Sequence, residues 1–515
     1  MSARFLSRAA LVGLLVLAAL AGGPVVLAGD LPALERQVLQ VTARPGVPLL
    51  NCPPRPVRAA GRPAVAPAPL PPPLVLPLTE EVTDPGVLPP LPLRLEDGGG
   101  ARPVRIAVWG DSHVAGGSFV ESLITAIRGR GLAVARASIP VGLTQPGIAL
   151  PIRRGCAPQG EWKLQPAYRA DQTVAVGPSL VSLRAAGPGS RLWLDLRDRD
   201  GGGPRYRGLA MRYTPHAQGA RVAVVVDDGE PQEVALSGAP DGTPRLAELT
   251  LAGDGPLSTL RLEVLSGSFE LQALWLPLPE PEAVLLDAYG LNSATAAGWV
   301  RADPDVLREV MSDRGYDVVV AAYGTNEGAA PTFDRHEYAA ALRASVKAWR
   351  SVFPRQPCVL VGPPDRGARP VRGRRGDPLL YARRHREIAQ VQAMVAPEFG
   401  CTFWDWQAAM GGEGSSLRWA RAVPPLMSAD LTHLTAAGYQ RSGAVLARAL
   451  SLGAEGSDPA PRAELPTAGQ PVAVRAERPR PPVRPVSRKR SDAARNLRKR
   501  ATERRIREYL RAPSR

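Results

Sequence analysis

The chain has 515 residues, room for more than one domain, and its 55 prolines and 51 glycines point to linkers beside globular parts. Its formal charge of +16 is uneven: residues 451–515 hold 17 Lys and Arg against 7 Asp and Glu, so most of the basic character belongs to the tail and gives no ground for a nucleic-acid-binding body. No group of His, Cys, Asp or Glu has metal-ligand spacing, so neither a metal nor another cofactor is expected.

Arg4 and Arg8 precede an apolar run from Ala9 to Ala28, and Val26-Leu27-Ala28 fits a small-residue cleavage site. Residues 1–28 therefore read as an export signal cut after Ala28. The rival is an uncleaved anchor at residues 9–28, since about 20 apolar residues can just span a bilayer. Either way the body is expected outside the cytoplasm, in the periplasm or cell envelope. Residues 29–100 read as a Pro-rich linker: 18 prolines lie between Leu31 and Pro103, a composition that favours an extended polyproline spacer. A short helical pattern (Leu34, Val38, Val41) opens it.

The first part of an α/β domain follows, over residues 101–165. Ile106 to Trp109 is an apolar run of the kind a buried parallel strand shows. It ends in Gly110-Asp111-Ser112, and Phe119, Leu123, Ile124 and Ile127 repeat at helical spacing behind it. Strand, tight turn and helix put the Ser112 hydroxyl at a strand's carboxyl end near backbone N–H groups, a place that suits a nucleophile. The bland reading of the same residues is an Asp or Ser helix cap.

Residues 166–280 change pattern. Short alternating runs (Thr173–Val176, Leu192–Leu196, Arg221–Val226, Leu260–Val264, Phe269–Leu274) are punctuated by Gly, Asp and Pro, which predicts an inserted β-sandwich. Tyr206, Arg212 and Tyr213 read as strand exteriors, either a polymer contact or a solvated face. The α/β pattern resumes over 281–452, with Leu285–Asn292, a strand at Val318–Ala322 ending in Tyr323-Gly324-Thr325-Asn326-Glu327, and a helix opened by Asp334-x-x-Glu337. Strands opened by Cys358 and Cys401 follow, and then Asp430-Leu431-Thr432-His433 ahead of a last helix. Residues 453–515 read as a basic, disordered tail with a thin helical pattern from Asp492 to Arg511; an anionic envelope surface fits it as partner, and so does a purely solubilising role.

The ordered set of Gly110-Asp111-Ser112, Gly290, Gly324-x-Asn326 and Asp430-x-x-His433 resembles the SGNH/GDSL hydrolase family over roughly residues 101–452. The inserted sandwich, Tyr323–Glu327 and Phe403-Trp404-Asp405-Trp406 with Met410-Gly411-Gly412 are similar to its periplasmic peptidoglycan O-acetylesterase branch. The resemblance implies an α/β fold: a flavodoxin-like three-layer parallel sheet with the sandwich inserted. It also implies an exported serine esterase that removes O-acetyl groups from a cell-envelope polysaccharide such as peptidoglycan. An O-acyltransferase with the same triad, and a carbohydrate-binding protein with a dead site, are the alternatives.

In that family the Cys358 and Cys401 strands would be parallel neighbours, so a disulfide between the two is expected; nothing in the sequence brings Cys52 to Cys156. Ester hydrolysis by a serine needs a base, a group to orient the base, and donors for the oxyanion. Ser112 is assigned as nucleophile, His433 as general base and then acid, and Asp430 as its orienter. The expected oxyanion donors are the backbone N–H groups of Ser112 and Gly290 and the Asn326 amide. Trp404, Trp406 and Trp419 are candidates for stacking on sugar faces, with core filling as the other reading.

Overall fold

The computed structural model describes residues 35–44, 46–47, 103–129, 131–158, 160–199, 202–237, 246–277, 284–369 and 377–450. The chain divides into residues 1–468 and 469–515, and the second unit lies wholly outside the described residues, with the export signal, most of the expected linker and the basic tail. Among the described residues no helix is long and apolar enough to cross a membrane.

Six parallel strands form the sheet of the α/β domain, in the spatial order Val134–Ala135, Val284–Gly290, Val104–Gly110, Val318–Ala322, Cys358–Val361 and Thr402–Trp404. The strands Val284–Gly290, Val318–Ala322 and Cys358–Val361 are buried on both faces throughout, and Val104–Gly110 from Ile106 on, which explains the continuous apolar runs. Ile106, Val108, Val318 and Val320 face one helical layer, built on Ser118–Arg128 and Ala436–Ala449. Ala107, Trp109, Val319 and Ala321 face the other, built on Arg335–Val352 and Leu380–Val395. This is the expected three-layer α/β arrangement. The chain leaves the Val104–Gly110 strand toward one edge and later returns to build toward the other, so the reversal of strand order lies at that strand, the place where open α/β sheets bind ligands at their carboxyl ends. As expected from its Asp-x-x-Glu start, the Arg335–Val352 helix is capped by the Asp334 carboxylate, which accepts from the N–H groups of His336 and Glu337.

The insert is a ten-stranded sheet folded on itself into two layers. Two long strands, Gly208–Val226 and Thr259–Trp275, pair along their whole length with register shifts near Ser266 and Gly267. Their outer half pairs with Gln232–Leu236 and Arg191–Asp198, and their inner half with Ala247–Gly253 and Val181–Ala185. The bulges bend the ribbon there, so that Val222, Val224, Leu260 and Leu262 pack with Leu209, Met211, Phe269 and Leu271 in one core.

Three expectations are corrected here. The sandwich is wider than residues 166–280: it recruits Ser138–Ile139, Ile152–Cys156 and Trp162–Pro166, and also Glu35–Val41, which pairs in parallel with Ala247–Gly253. Residues 35–41, expected in the linker with a helical pattern, are thus a strand: Gln37, Leu39 and Val41 turn to the protected side and Val38 to solvent, and the partner strand imposes this period of two. Tyr206, Arg212 and Tyr213 are not exteriors but are buried. Arg212 is fully enclosed, paired with Glu248 and Asp313 and donating to the Val310 carbonyl, so it ties the sandwich to the Pro304–Val310 helix of the catalytic domain.

Cys358 and Cys401 are joined by a disulfide, with Cα atoms 4.7 Å apart at the starts of neighbouring parallel strands. Cys156 is also disulfide-bonded, while Cys52 lies outside the described residues. The Cys358–Cys401 bridge closes a sequence separation of 43 residues, for which chain entropy gives about 4 kcal/mol as an upper figure. Replacing both cysteines with alanine is expected to lower unfolding free energy by roughly 2–4 kcal/mol. Thermal unfolding of the double variant beside the oxidised protein checks this, and equal melting temperatures would contradict it.

Candidate active site

The site grows from the end of the Val104–Gly110 strand. Asp111 caps the one-turn helix Ser112–Ala115, its Oδ1 accepting from the His113 N–H at 2.9 Å. The cap reading of Gly-Asp-Ser thus holds for Asp111, and it leaves the Ser112 hydroxyl free of the capping role. This turn lies directly on two strand ends. A Cβ on Gly110 would stand 2.4 Å from Val114 Cγ2 and 2.7 Å from the Ala322 carbonyl oxygen; one on Gly290 would stand 2.1 Å from the Ala115 nitrogen. Glycine is the residue that fits at both positions.

Ser112 Oγ lies 2.9 Å from His433 Nε2, across 321 residues of sequence. His433 Nδ1 lies 2.7 Å from Asp430 Oδ2, while Asp430 Oδ1 accepts the backbone N–H groups of Thr432 and His433, each at 2.9 Å. The turn that makes this possible passes through Leu431, which has a positive φ of 57°. That conformation is unfavourable for leucine, and the fully buried Leu431 side chain holds it in the core. Burial acts to raise the Asp430 pKa, but the bonds from the His433 ring, the His433 N–H and the Thr432 N–H outweigh it and hold the carboxyl well below its usual range. The hydrogen bond to Asp430 in turn raises the His433 pKa, against burial. An ionised Asp430 fixes the proton on Nδ1 and leaves Nε2 to accept the Ser112 hydroxyl proton. The His433 and Asp430 side chains remain 41% and 46% exposed, so water reaches the dyad.

Asn326 and Gly290 border the same turn. Asn326 Nδ2 donates one bond to the Ala294 carbonyl at 2.8 Å, which leaves its second amide hydrogen for another acceptor. The neighbouring Glu327 Oε1 accepts the Ala296 N–H at 2.9 Å. These two bonds pin the loop after Gly290 to the loop after Ala322. Burial pushes the Asp111 carboxyl up to about 6 and that of Glu327 up to about 7. The insert contributes a wall: Asn292 Nδ2 donates to the Pro146 carbonyl and the Ala149 N–H to the Ala115 carbonyl, so the segment leading into the sandwich leans on both site loops.

The tryptophans are a correction. Trp404, Trp406 and Trp419 are 0%, 1% and 2% exposed and belong to the core under the site, so they cannot stack on a sugar. Trp406 instead lies on Phe119 and against the edge of His113, whose ring centroid is 5.3 Å from that of His433. His113 turns its Nδ1 inward to the Tyr439 hydroxyl at 2.8 Å, and burial pushes its pKa far down. The apolar neighbours of these indoles in the sequence (Leu417, Phe403) were the signal for a core role. The clamp made by Glu327 was missed, since a lone charged residue in a loop carries no periodicity to mark it. Among the described residues no group of His, Cys, Asp or Glu forms a metal site.

Residues 273–441 match the GDSL-like lipase/acylhydrolase family. The match starts within the Thr259–Trp275 strand, because the insert separates the Gly110–Ser112 turn from the rest of the domain. Among solved structures, a peptidoglycan O-acetylesterase is similar over 69% of this chain and 92% of its own, at 22% identity and a TM-score of 0.52. A family two carbohydrate esterase from Cellvibrio japonicus is similar over 56% of this chain and 98% of its own, at 13% identity and a TM-score of 0.23. A carbohydrate acetylesterase from Sinorhizobium meliloti covers 33% of this chain and 78% of its own, at 17% identity and a TM-score of 0.25. No protein of curated function matches the sequence. With a GDSL-like acylhydrolase match over the second half of the catalytic domain and an SGNH-type sheet around it, the chain resembles the SGNH/GDSL hydrolases and is a serine ester hydrolase.

Proposed function

We propose that this hydrolase removes O-acetyl groups from a cell-envelope polysaccharide, with peptidoglycan as the first candidate. The observation that carries the chemistry is the hydrogen-bonded chain Ser112–His433–Asp430 at the carboxyl end of the central strand. The peptidoglycan O-acetylesterase to which the catalytic domain is similar supports the choice of glycan. The apolar run of residues 9–28 supports export.

In this reading His433 Nε2 takes the Ser112 proton as Oγ attacks the acetyl carbonyl, and later returns it to the departing sugar hydroxyl. Water repeats the sequence on the acyl-enzyme and releases acetate. Asp430 stabilises the imidazolium that forms twice. The Ser112 and Gly290 N–H groups and the free Asn326 amide hydrogen receive the oxyanion, a role in which one amide supplies about 3–4 kcal/mol of transition-state stabilisation. The open dyad supports hydrolysis over transfer, since bulk water reaches the base. Acetate release from purified envelope polysaccharides, with and without added sugar acceptor, tests the proposal. Acetate that appears only as acetylated acceptor would make the protein a transferase.

Ser112→Ala is expected to abolish hydrolysis of an aryl acetate with the melting temperature unchanged; normal turnover would remove the whole assignment. Asp430→Asn favours the wrong imidazole tautomer. A loss of ~10⁴ in kcat accompanies that change where the orienter is buried, and the solvent-open dyad here should lose less. Asn326→Ala should lower kcat about 10²- to 10³-fold with little change in KM, because the bond matters in the transition state. A helix cap and a turn residue with no catalytic part would instead lower melting temperature and leave kcat near normal.

The pH dependence has a definite sign. His433 must be neutral to act as base, so kcat/KM falls on the acid side. The bond to Asp430 raises the His433 pKa, which places the midpoint above the ordinary histidine value of about 6.5. Asp430→Asn should move that midpoint down. A kcat/KM profile with an unmoved midpoint would show that the pair does not set it.

A further inference from the structure

The loop after the Cys358–Val361 strand carries Arg366, a residue the triad does not use. Two bonds key this loop to the triad: the Gly367 N–H donates to the Leu431 carbonyl at 3.0 Å, and Arg369 Nε donates to the Ala429 carbonyl at 2.6 Å. A Cβ on Gly367 would stand 3.2 Å from Leu431 Cβ, so the two loops are in close register. Arg366 itself reaches toward the other side of the site. Its guanidinium lies over the Tyr381 ring at 4.3 Å, and Nη1 makes one long bond of 3.4 Å to the Thr325 carbonyl, next to Asn326.

That coordination is poor for a guanidinium. Arg366 is half-buried, its Nε is enclosed without a partner, and among the described residues no carboxylate lies within ion-pair distance. Its charge is nevertheless felt at the site: it acts on Asp111 and Asp430 and depresses His433. A half-buried cation whose nearest carboxylates, Asp430 and Asp111, act on it only from beyond ion-pair distance is incompletely compensated. Beside a general base whose function is to take a proton it is worse placed still, unless an anion joins it during the reaction. The arginine fork is suited to a planar carboxylate, which it binds through two parallel bonds.

We propose that Arg366 is a specificity-determining residue that receives a carboxylate of the substrate, so that the enzyme selects acylated glycans whose acylated sugar bears an acid. The inference rests on the glycan reading above and narrows it from an acetylated sugar to an acidic one. Tyr381 holds the guanidinium from one face, and Thr325 fixes its height against the loop that carries Asn326. The carboxylate then supplies a direct ion-pair partner only when the correct sugar is seated, which couples recognition to the site's electrostatics.

The test compares an O-acetylated uronic acid glycoside with its uronamide, the same sugar with the charge removed. The native protein should prefer the acid by roughly 10- to 100-fold in kcat/KM, the value of charge-assisted bonds. Arg366→Gln should collapse that preference mainly through KM, while Arg366→Lys should keep part of it. Melting temperatures of both variants establish that they are folded. Equal rates on acid and amide by the native protein, or a preference that survives Arg366→Gln, would overturn the proposal and leave the glycan reading standing. A shifted pH profile with unchanged preference would also overturn it and would make Arg366 only a tuner of His433. Hydrolysis of neither sugar, with an aryl acetate still cleaved, would remove the glycan reading and this inference with it.

Discussion

One helical turn, Ser112–Ala115, rests on the ends of two parallel strands at backbone contact distance, and neither Gly110 nor Gly290 can carry a side chain beneath it. This contact sets the height of Ser112 above the sheet. A Cβ at either glycine would lift the turn by an ångström or more, enough to break a 2.9 Å bond to His433. Positional errors of that size are expensive in a triad, because each proton transfer requires hydrogen-bond distance. The Asp111 cap and the Asn326 and Glu327 clamps then hold the surrounding loops against the same turn.

Charge around this turn is arranged in opposition. Asp430 is held ionised by three donors, whereas Asp111 and Glu327 are desolvated and titrate near neutrality. The ionised carboxylate is half-exposed, and the desolvated ones are enclosed in the protein. That division keeps the imidazolium-stabilising charge on Asp430. Arg366 adds a positive charge on the opposite rim, which works against His433 becoming cationic. The triad is thus held between a carboxylate that favours its charged intermediate and a cation that opposes it.

The insert is more than an appended domain. Asp287, on the strand that ends in Gly290, accepts the N–H groups of Ala137 and Ser138, where the chain leaves the catalytic sheet for the sandwich. Arg212 bonds back from the sandwich to the Pro304–Val310 helix. The segment between these anchors includes Gln145 and Pro146, which bond to Asn292 beside the site. The sandwich therefore braces one wall of the catalytic cleft through its entry segment, without any of its strand faces needing to touch substrate.

The sequence alone was sufficient for the catalytic sheet, because its strands are buried on both faces and leave unbroken apolar runs that end in Gly-Asp-Ser and Gly-Thr-Asn. Resemblance to the ordered motifs of the SGNH/GDSL family pointed to Ser112, Asp430 and His433, which the fold brings into one hydrogen-bonded chain, and pointed to a Cys358–Cys401 bridge once their strands were taken as neighbours. The sequence did not decide the facing of side chains where two periods fit the same residues. Glu35–Val41 became a strand only because Ala247–Gly253 offered an open edge. Trp404, Trp406 and Trp419 read in sequence as candidates for a sugar platform beside a core role favoured for each taken singly, and the fold places all three in the core, with Phe119 of the helix Ser118–Arg128 stacked on Trp406. Arg366 had no sequence signature at all. Its place beside the triad follows from one backbone bond and one side-chain-to-backbone bond between loops some sixty residues apart in sequence, a relation that exists only in the folded chain.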